Sequence, residues 1–163
     1  MRTSIVFCIG ILLGTAFGPA LAQGQRLAGE NYVNHVGMAV QNFDEAFAFY
    51  TQKMGFKEAF RNSDAQGQPT AIYLQISKST FLELQQANAQ RPAGISHFGL
   101  EAANIKAAVA MFKQRGATAT EPGPPSGFSH AILASVNDLN GLRIELAELG
   151  PDSLQRKAMD SWK

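Results

Sequence analysis

His35-Val36-Gly37-Met38 returns 62 residues later as His97-Phe98-Gly99-Leu100. Leu82-Glu83-Leu84 returns at the same interval as Ile144-Glu145-Leu146. An internal repeat sets the architecture first, because each copy is one supersecondary unit that needs its neighbour to bury a sheet face. A repeat that carries His and Glu in both copies also nominates a metal site, since imidazole and carboxylate are metal-ligand types.

Reading outward from the first histidine, Val36, Met38 and Val40 alternate with His35, Gly37 and Ala39, the period of a strand with one apolar face. Asn42 then caps a helix whose apolar positions Phe43, Ala46, Phe47 and Tyr50 recur at helical spacing, and Gly55 ends it. Three strands are expected near 57–61, 70–77 and 80–86, with a polar loop over 62–69. The second copy repeats the order. A strand over 95–102 is followed by a helix capped by Asn104, with Ile105, Ala108, Val109 and Phe112 on its buried stripe and Gly116 at its end. Strands are expected near 117–121, 131–136 and 142–149, a long Pro-Gly loop over 122–127, and a tight hairpin turn at Asn140-Gly141. Each copy is therefore β-α-β-β-β, and residues 90–94 link the two. The fold class is α+β, with repeats at about 32–90 and 95–149 forming a single domain within 23–150. The tail 151–163 lies outside the repeat, where Leu154, Ala158 and Trp162 could line one face of a short docked helix.

Strand parity places the marked residues. If Val36 and Met38 pack on the helices, His35 faces the other way, and the same count turns His97 away from Phe98 and Leu100. Glu83 and Glu145, each between two apolar neighbours, share that face. Two imidazoles and two carboxylates make a donor set for one divalent ion, whether Zn, Ni, Co, Mn or Fe(II). Such an ion would act as a Lewis acid that polarises a carbonyl and stabilises an enediolate, and a glutamate able to leave the metal would become a base for the adjacent proton. Glu145 and Glu83 are equal candidates for that base. Tyr73, Gln75, Leu133 and Ser135 line the same face by parity, and Arg143 either pairs with Glu145 or receives an anionic substrate, the pairing being the expected role. His130 has no repeat partner, since Gln68 stands 62 residues before it, and reads as a surface residue. Asp138-x-Asn140-Gly141 lacks the remaining ligands of a calcium loop.

Residues 1–22 read as a secretory signal peptide: Arg2, a short apolar core, and Ala20-Leu21-Ala22 before Gln23. Gly14, Thr15, Gly18 and Pro19 interrupt the apolar run and argue against a membrane anchor. The expected location is periplasmic or extracellular. Cleavage removes one of 14 basic residues and leaves 13 against 13 acidic ones. A neutral chain without a basic run argues against nucleic acid or an anionic membrane as partner. The only cysteine, Cys8, leaves with the signal, so no disulfide and no thiol nucleophile is expected.

With its paired modules, His-x-Gly strands and x-Glu-Leu strands, the chain resembles the vicinal-oxygen-chelate superfamily over about Tyr32 to Leu149. That group includes glyoxalase I, methylmalonyl-CoA epimerase, extradiol dioxygenases and the bleomycin and fosfomycin resistance proteins. The resemblance implies one cupped mixed sheet in which the two first strands meet, helices cover the outer face, and His35, Glu83, His97 and Glu145 converge inside the cup. It implies a metal-dependent lyase or isomerase of the glyoxalase type, acting on a small α-hydroxycarbonyl or thiol adduct. Glutathione specificity does not follow, because an exported protein works away from the cytosolic adducts. An Fe(II) extradiol dioxygenase is the enzymatic alternative, for which Glu83 is a ligand too many. A non-catalytic small-molecule-binding protein is the third reading, against which four retained donors argue. Family members build the cup within a chain or across a homodimer, and both remain open.

Overall fold

The computed structural model describes residues 32–163; the signal-peptide reading of residues 1–22 lies outside the described residues. The first copy contributes β1 (Val33–Val40), α1 (Phe43–Ala48) with a closing π-helical turn (Phe49–Lys53), β2 (Lys57–Ser63), β3 (Pro69–Ser77) and β4 (Thr80–Gln86). The second contributes β5 (Gly94–Glu101), α2 (Ile105–Gln114), β6 (Ile132–Asn137) and β7 (Arg143–Glu148), and the tail forms α3 (Leu154–Asp160).

All seven strands join one mixed sheet in the order β2-β3-β4-β1-β5-β7-β6. Within each copy the first and last strands pair in parallel, β1 with β4 and β5 with β7. The copies meet where β1 runs antiparallel to β5. This puts the four strands that carry His35, Glu83, His97 and Glu145 side by side at the centre.

Both helix starts follow from their asparagines. Asn42 accepts from the Glu45 N–H and Asn104 from the Ala107 N–H, each satisfying a donor that the first turn leaves unpaired. Gly55 (φ 74°) and Gly116 (φ 87°) follow the helices in the left-handed conformation. The outward side chains of the sheet pack under these helices. Ile72, Leu74, Leu82 and Leu84 bury against Phe43 with Val36, Met38 and Tyr50 at the edge. Leu146, Ala134 and Val136 do the same against Ile105, Ala108 and Val109. Each large apolar side chain so buried contributes on the order of 2 kcal/mol.

Three expectations need correction. The strand near 117–121 is reduced to a single bridge, Ala119 to Val136. The Thr120 hydroxyl, rather than a backbone carbonyl, accepts the Ser135 N–H, and Pro122, Pro124 and Pro125 bring no N–H to continue a ladder. The hairpin between β6 and β7 has a longer loop than a two-residue turn. Asp138 pairs with Leu142 around Leu139–Gly141, its carboxylate takes the Asn140 and Leu142 N–H groups, and Gly141 adopts φ 83°. In α3 the buried stripe is Gln155, Ala158 and Met159; Leu154 and Trp162 are only half-buried.

That stripe matters for the cup. Ala158 and Met159 pack with Tyr73 and Phe81 of the first copy and Ala131, Ala147 and Leu149 of the second. By parity Tyr73, Phe81 and Ala147 lie on the face opposite the two module helices, so α3 fills one end of the concave side. Ser153 caps it, Gln75 donates to the Ala158 carbonyl, and Arg156 pairs with Glu101 at 2.6 Å.

Candidate metal centre

The concave face at the β1–β5 junction is buried. His35 is 0%, His97 1%, Glu83 6% and Glu145 6% exposed, so these are not solvated polar residues on an open sheet. His35 Nε2 lies 3.1 Å from His97 Nε2, 3.4 Å from Glu145 Oε1 and 3.9 Å from Glu83 Oε2. His97 Nε2 lies 3.1 Å from Glu83 Oε2. One donor atom each from His35, His97 and Glu145 falls within 4.8 Å of the others, a spacing that a single ion could bridge.

The glycines of the two His-x-Gly words explain how the rings come this close. Gly37 pairs with His97 across the strands, and Gly99 with His35. A Cβ on Gly37 would sit 2.1 Å from His97 Cε1, and one on Gly99 2.1 Å from His35 Cε1, inside any tolerable contact. Each glycine is the floor on which the opposite module's imidazole lies. Sequence reasoning missed this role, although both glycines stand on the 62-residue interval.

It also missed Asn34 and Ser96, again 62 residues apart and each next to its histidine. Asn34 Nδ2 donates to the Ser79 carbonyl, so the oxygen of that amide faces His35 Nδ1 at 3.2 Å and accepts its proton. The Nε2 lone pair of His35 is thereby aimed at the centre. Ser96 Oγ holds His97 Nδ1 at 3.0 Å. Burial lowers the His35 pKa to about 4, with His97 and Arg143 adding to the effect and Glu83 opposing it, so the ring is neutral at neutral pH.

The carboxylates have different company. Glu83 Oε1 accepts from Gln85 Nε2 at 2.9 Å, and Gln85 is in turn held by Arg91 at 3.0 Å. Burial pushes the Glu83 carboxyl up, but the hydrogen bond and charge of His97, the charge of His35 and the Gln85 bond together hold it below the usual range. Glu145 Oε2 accepts from Arg143 Nη1 at 2.6 Å, the pairing expected from sequence. Here burial prevails over Arg143 and the carboxyl is raised.

Of the expected lining residues, Tyr73 stands beside Glu83 in the register and Ser135 beside Glu145. The Tyr73 ring meets His35 edge-on at 5.5 Å. Burial, then the charges of Glu83 and Glu145 and a hydrogen bond to Glu83, push its phenol well above the usual range, so it stays a neutral donor. Leu133 packs into the α3 cluster, and Gln75 is spent on the Lys78 and Ala158 carbonyls rather than on the site. His130 is exposed, with φ 59°, and is not part of the His35, His97 and Glu145 cluster.

The donor set fits a cation. His35 Nε2, Glu83 Oε2 and Glu145 Oε1 are all acceptors, and the donors that face them, His97 Nε2 and the Tyr73 hydroxyl toward Glu83, are too few to serve all three. A divalent ion held by His35, His97 and Glu145, with Glu83 beside His97, would satisfy these acceptors together.

The class is a paired-module protein: a seven-stranded cupped sheet from a β-α-β-β-β copy and a β-α-β-β copy, with two His and two Glu gathered at its seam. Residues 32–146 match the Glyoxalase/Bleomycin resistance protein/Dioxygenase superfamily, and the chain belongs to that family. It is 27% identical over 127 residues to a chloroplastic protein of Arabidopsis thaliana described as a probable lactoylglutathione lyase. That match covers 72% of this chain but 35% of the relative, so the chain spans about a third of the relative's length. Among solved structures it resembles a hypothetical protein from Bacillus halodurans C-125 (TM-score 0.62, 21% identity, 75% of this chain and 96% of that one). It also resembles methylmalonyl-CoA epimerase from Mycobacterium tuberculosis (TM-score 0.59, 21% identity, 73% and 88%). At these identities the structures establish the shared fold.

Proposed function

We propose that this chain is a metal-dependent lyase or isomerase of the glyoxalase type, acting on a small α-hydroxycarbonyl or thiol adduct through an enediolate, and that it works outside the cytoplasm. The observation that carries the proposal is the convergence of two imidazole nitrogens and two carboxylates from both modules in one buried centre. Family membership and the lyase description of the Arabidopsis relative support it. His35, His97, Glu83 and Glu145 would hold the ion, which would supply Lewis-acid polarisation of the substrate carbonyl.

The residues divide the remaining work. Asn34 and Ser96 fix the imidazoles, as partners of ligating histidines do. Glu83 is tied by Gln85 on one oxygen and faces His97 with the other, which suits a fixed ligand. Glu145 is hydrogen-bonded by Arg143, a side chain 42% exposed, and faces His35 at the longer distance of 3.4 Å, which leaves it the freedom to take the proton next to the carbonyl and return it to the neighbouring carbon.

Metal analysis tests the centre. Purified protein should carry about one divalent ion per chain, as a single Lewis-acid site requires, and lose it in His97→Ala. Protein that stays metal-free after reconstitution refutes the reading. Deuterium uptake at the α-carbon of hydroxyacetone in D₂O tests the chemistry: uptake that needs both metal and Glu145 supports a proton-transfer enzyme. Oxygen consumption with catechol would move the assignment to the dioxygenases. Export is tested by sequencing the N-terminus of protein from the periplasmic or extracellular fraction, which should begin at Gln23.

A further inference from the structure

The two ends of the cup differ in chemistry. One is filled by α3 and the apolar cluster of Tyr73, Phe81, Ala147 and Met159. At the other, a cavity of about 460 Å³ opens beside His97, with Gln85, Arg91, Ser96 and Arg143 in its wall and no carboxylate among its lining residues. The antiparallel arrangement of the copies causes this. Gln85 and Arg143 flank Glu83 and Glu145 on the open side, whereas Phe81 and Ala147 flank them on the filled side.

Both guanidiniums keep donors in reserve. Arg91 spends Nη1 on Gln85 Oε1 and Nε on the Gln86 carbonyl, and Arg143 spends Nη1 on Glu145 Oε2. Among the described residues, Arg91 Nη2 and the Nε and Nη2 of Arg143 have no partner. Formal charges point the same way. Glu83 and Glu145 balance Arg91 and Arg143, so a site loaded with a divalent ion carries an excess of +2. Arg91 is the freer of the two cations, bonded only to neutral acceptors.

From this geometry we infer that the mouth recognises a carboxylate, and that the substrate is a small 2-hydroxy or 2-oxo acid whose acid group docks on Arg91 and Arg143 while its oxygen at C2 points toward His97. The planar fork of arginine matches a carboxylate and not its neutral amide. The inference rests on the metal-site reading for the position of the C2 oxygen, but the charge selection belongs to Arg91 and is measurable without metal.

Calorimetric titration of the full chain with glycolate and with its neutral analogue glycolamide tests it, with zinc content measured on the same samples. Zinc-loaded protein should bind glycolate at least tenfold more tightly than glycolamide. Arg91→Gln should reduce that preference to under threefold in samples matched for zinc content, and Arg91→Lys should retain part of it. Equal binding of the two probes, or a preference that survives Arg91→Gln, overturns the inference. If zinc fails to load, the metal reading falls separately, and the metal-free protein decides the charge selection: a preference that depends on Arg91 supports it and none overturns it.

Discussion

The two modules share a plan and differ in what surrounds their carboxylates. The first continues its sheet through β2, β3 and β4, whereas the second reaches β6 and β7 after a proline-rich segment that keeps one bridge to β6. The four strands that carry His and Glu are unaffected, because they sit at the centre, away from either edge. Beside the carboxylates the copies diverge: Glu83 has Phe81, Gln85 and Tyr73, and Glu145 has Arg143, Ala147 and Ser135 at the matching positions. Duplication supplied four donors in a near-symmetric arrangement. Divergence of their neighbours made one end of the cup apolar and the other cationic, and gave one glutamate more restraint than its twin.

Removing each carboxylate in turn is the hardest test of that inequality. Glu145→Gln should cost about 10³-fold in α-proton exchange, the scale of a lost general base, and the loss should persist when excess metal restores occupancy. Glu83→Gln should act first on metal affinity, with residual exchange restored by excess metal. Metal titration followed by exchange kinetics separates the two, and identical behaviour of the two variants would dissolve the distinction between ligand and base.

The glycine floors test the symmetry that remains. Gly37→Ala and Gly99→Ala each place a methyl group 2.1 Å from an imidazole carbon, so each should cost about 3 kcal/mol of stability as the ring or strand gives way. Both should lose metal binding. Chemical denaturation measures the first effect, and a cost confined to one variant would show that the modules do not share the burden at the seam.

Much of this centre was legible in the sequence because repeat interval and strand period are independent rulers that agree. The interval pairs His35 with His97 and Glu83 with Glu145, and alternation puts all four on one face. Neither ruler says whether that face is wet, since burial depends on sheet curvature and on α3, whose docking surface comes from both copies. The strand near 117–121 misled for a related reason: local propensity there was outweighed by the prolines after it and by the Thr120 hydroxyl. Gly37, Gly99, Asn34 and Ser96 were on the interval too. Their roles are cross-strand or through side-chain hydrogen bonds, which pattern reading along one strand does not see.

Acid separates the two carboxylates by sign. His35, lowered to about 4, and Glu83, also lowered, bind protons more readily in the unfolded chain, so stability falls as pH drops through their range. For His35 the loss runs from about pH 6.5 to about pH 4 and amounts to roughly 3 kcal/mol. Glu145, raised by burial, takes its proton more readily when folded and partly offsets the loss as pH falls through its folded value. Metal-free protein should therefore show a falling Tm between pH 6.5 and 4. His35→Gln should flatten that slope and Glu145→Gln should steepen it. An unchanged slope in His35→Gln would refute the assignment of the acid sensitivity to this ring.

The smallest expected effect concerns the residues behind the histidines. Asn34 is fixed by the Ser79 carbonyl and can only accept from His35, whereas the Ser96 hydroxyl can rotate to donate or accept. Loss of such a partner typically weakens metal binding 10- to 100-fold. Asn34→Ala should fall near the upper end of that range, because it frees the His35 tautomer and leaves the buried Nδ1–H of His35 without its acceptor. Ser96→Ala should fall near the lower end, since His97 also faces Glu83 at 3.1 Å and keeps its orientation. Competition for zinc against a chelator of known affinity reads both variants on one scale. If Ser96→Ala proved the more damaging, the centre would be organised from the second module, and the restraint assigned to the first would have to be reassigned with it.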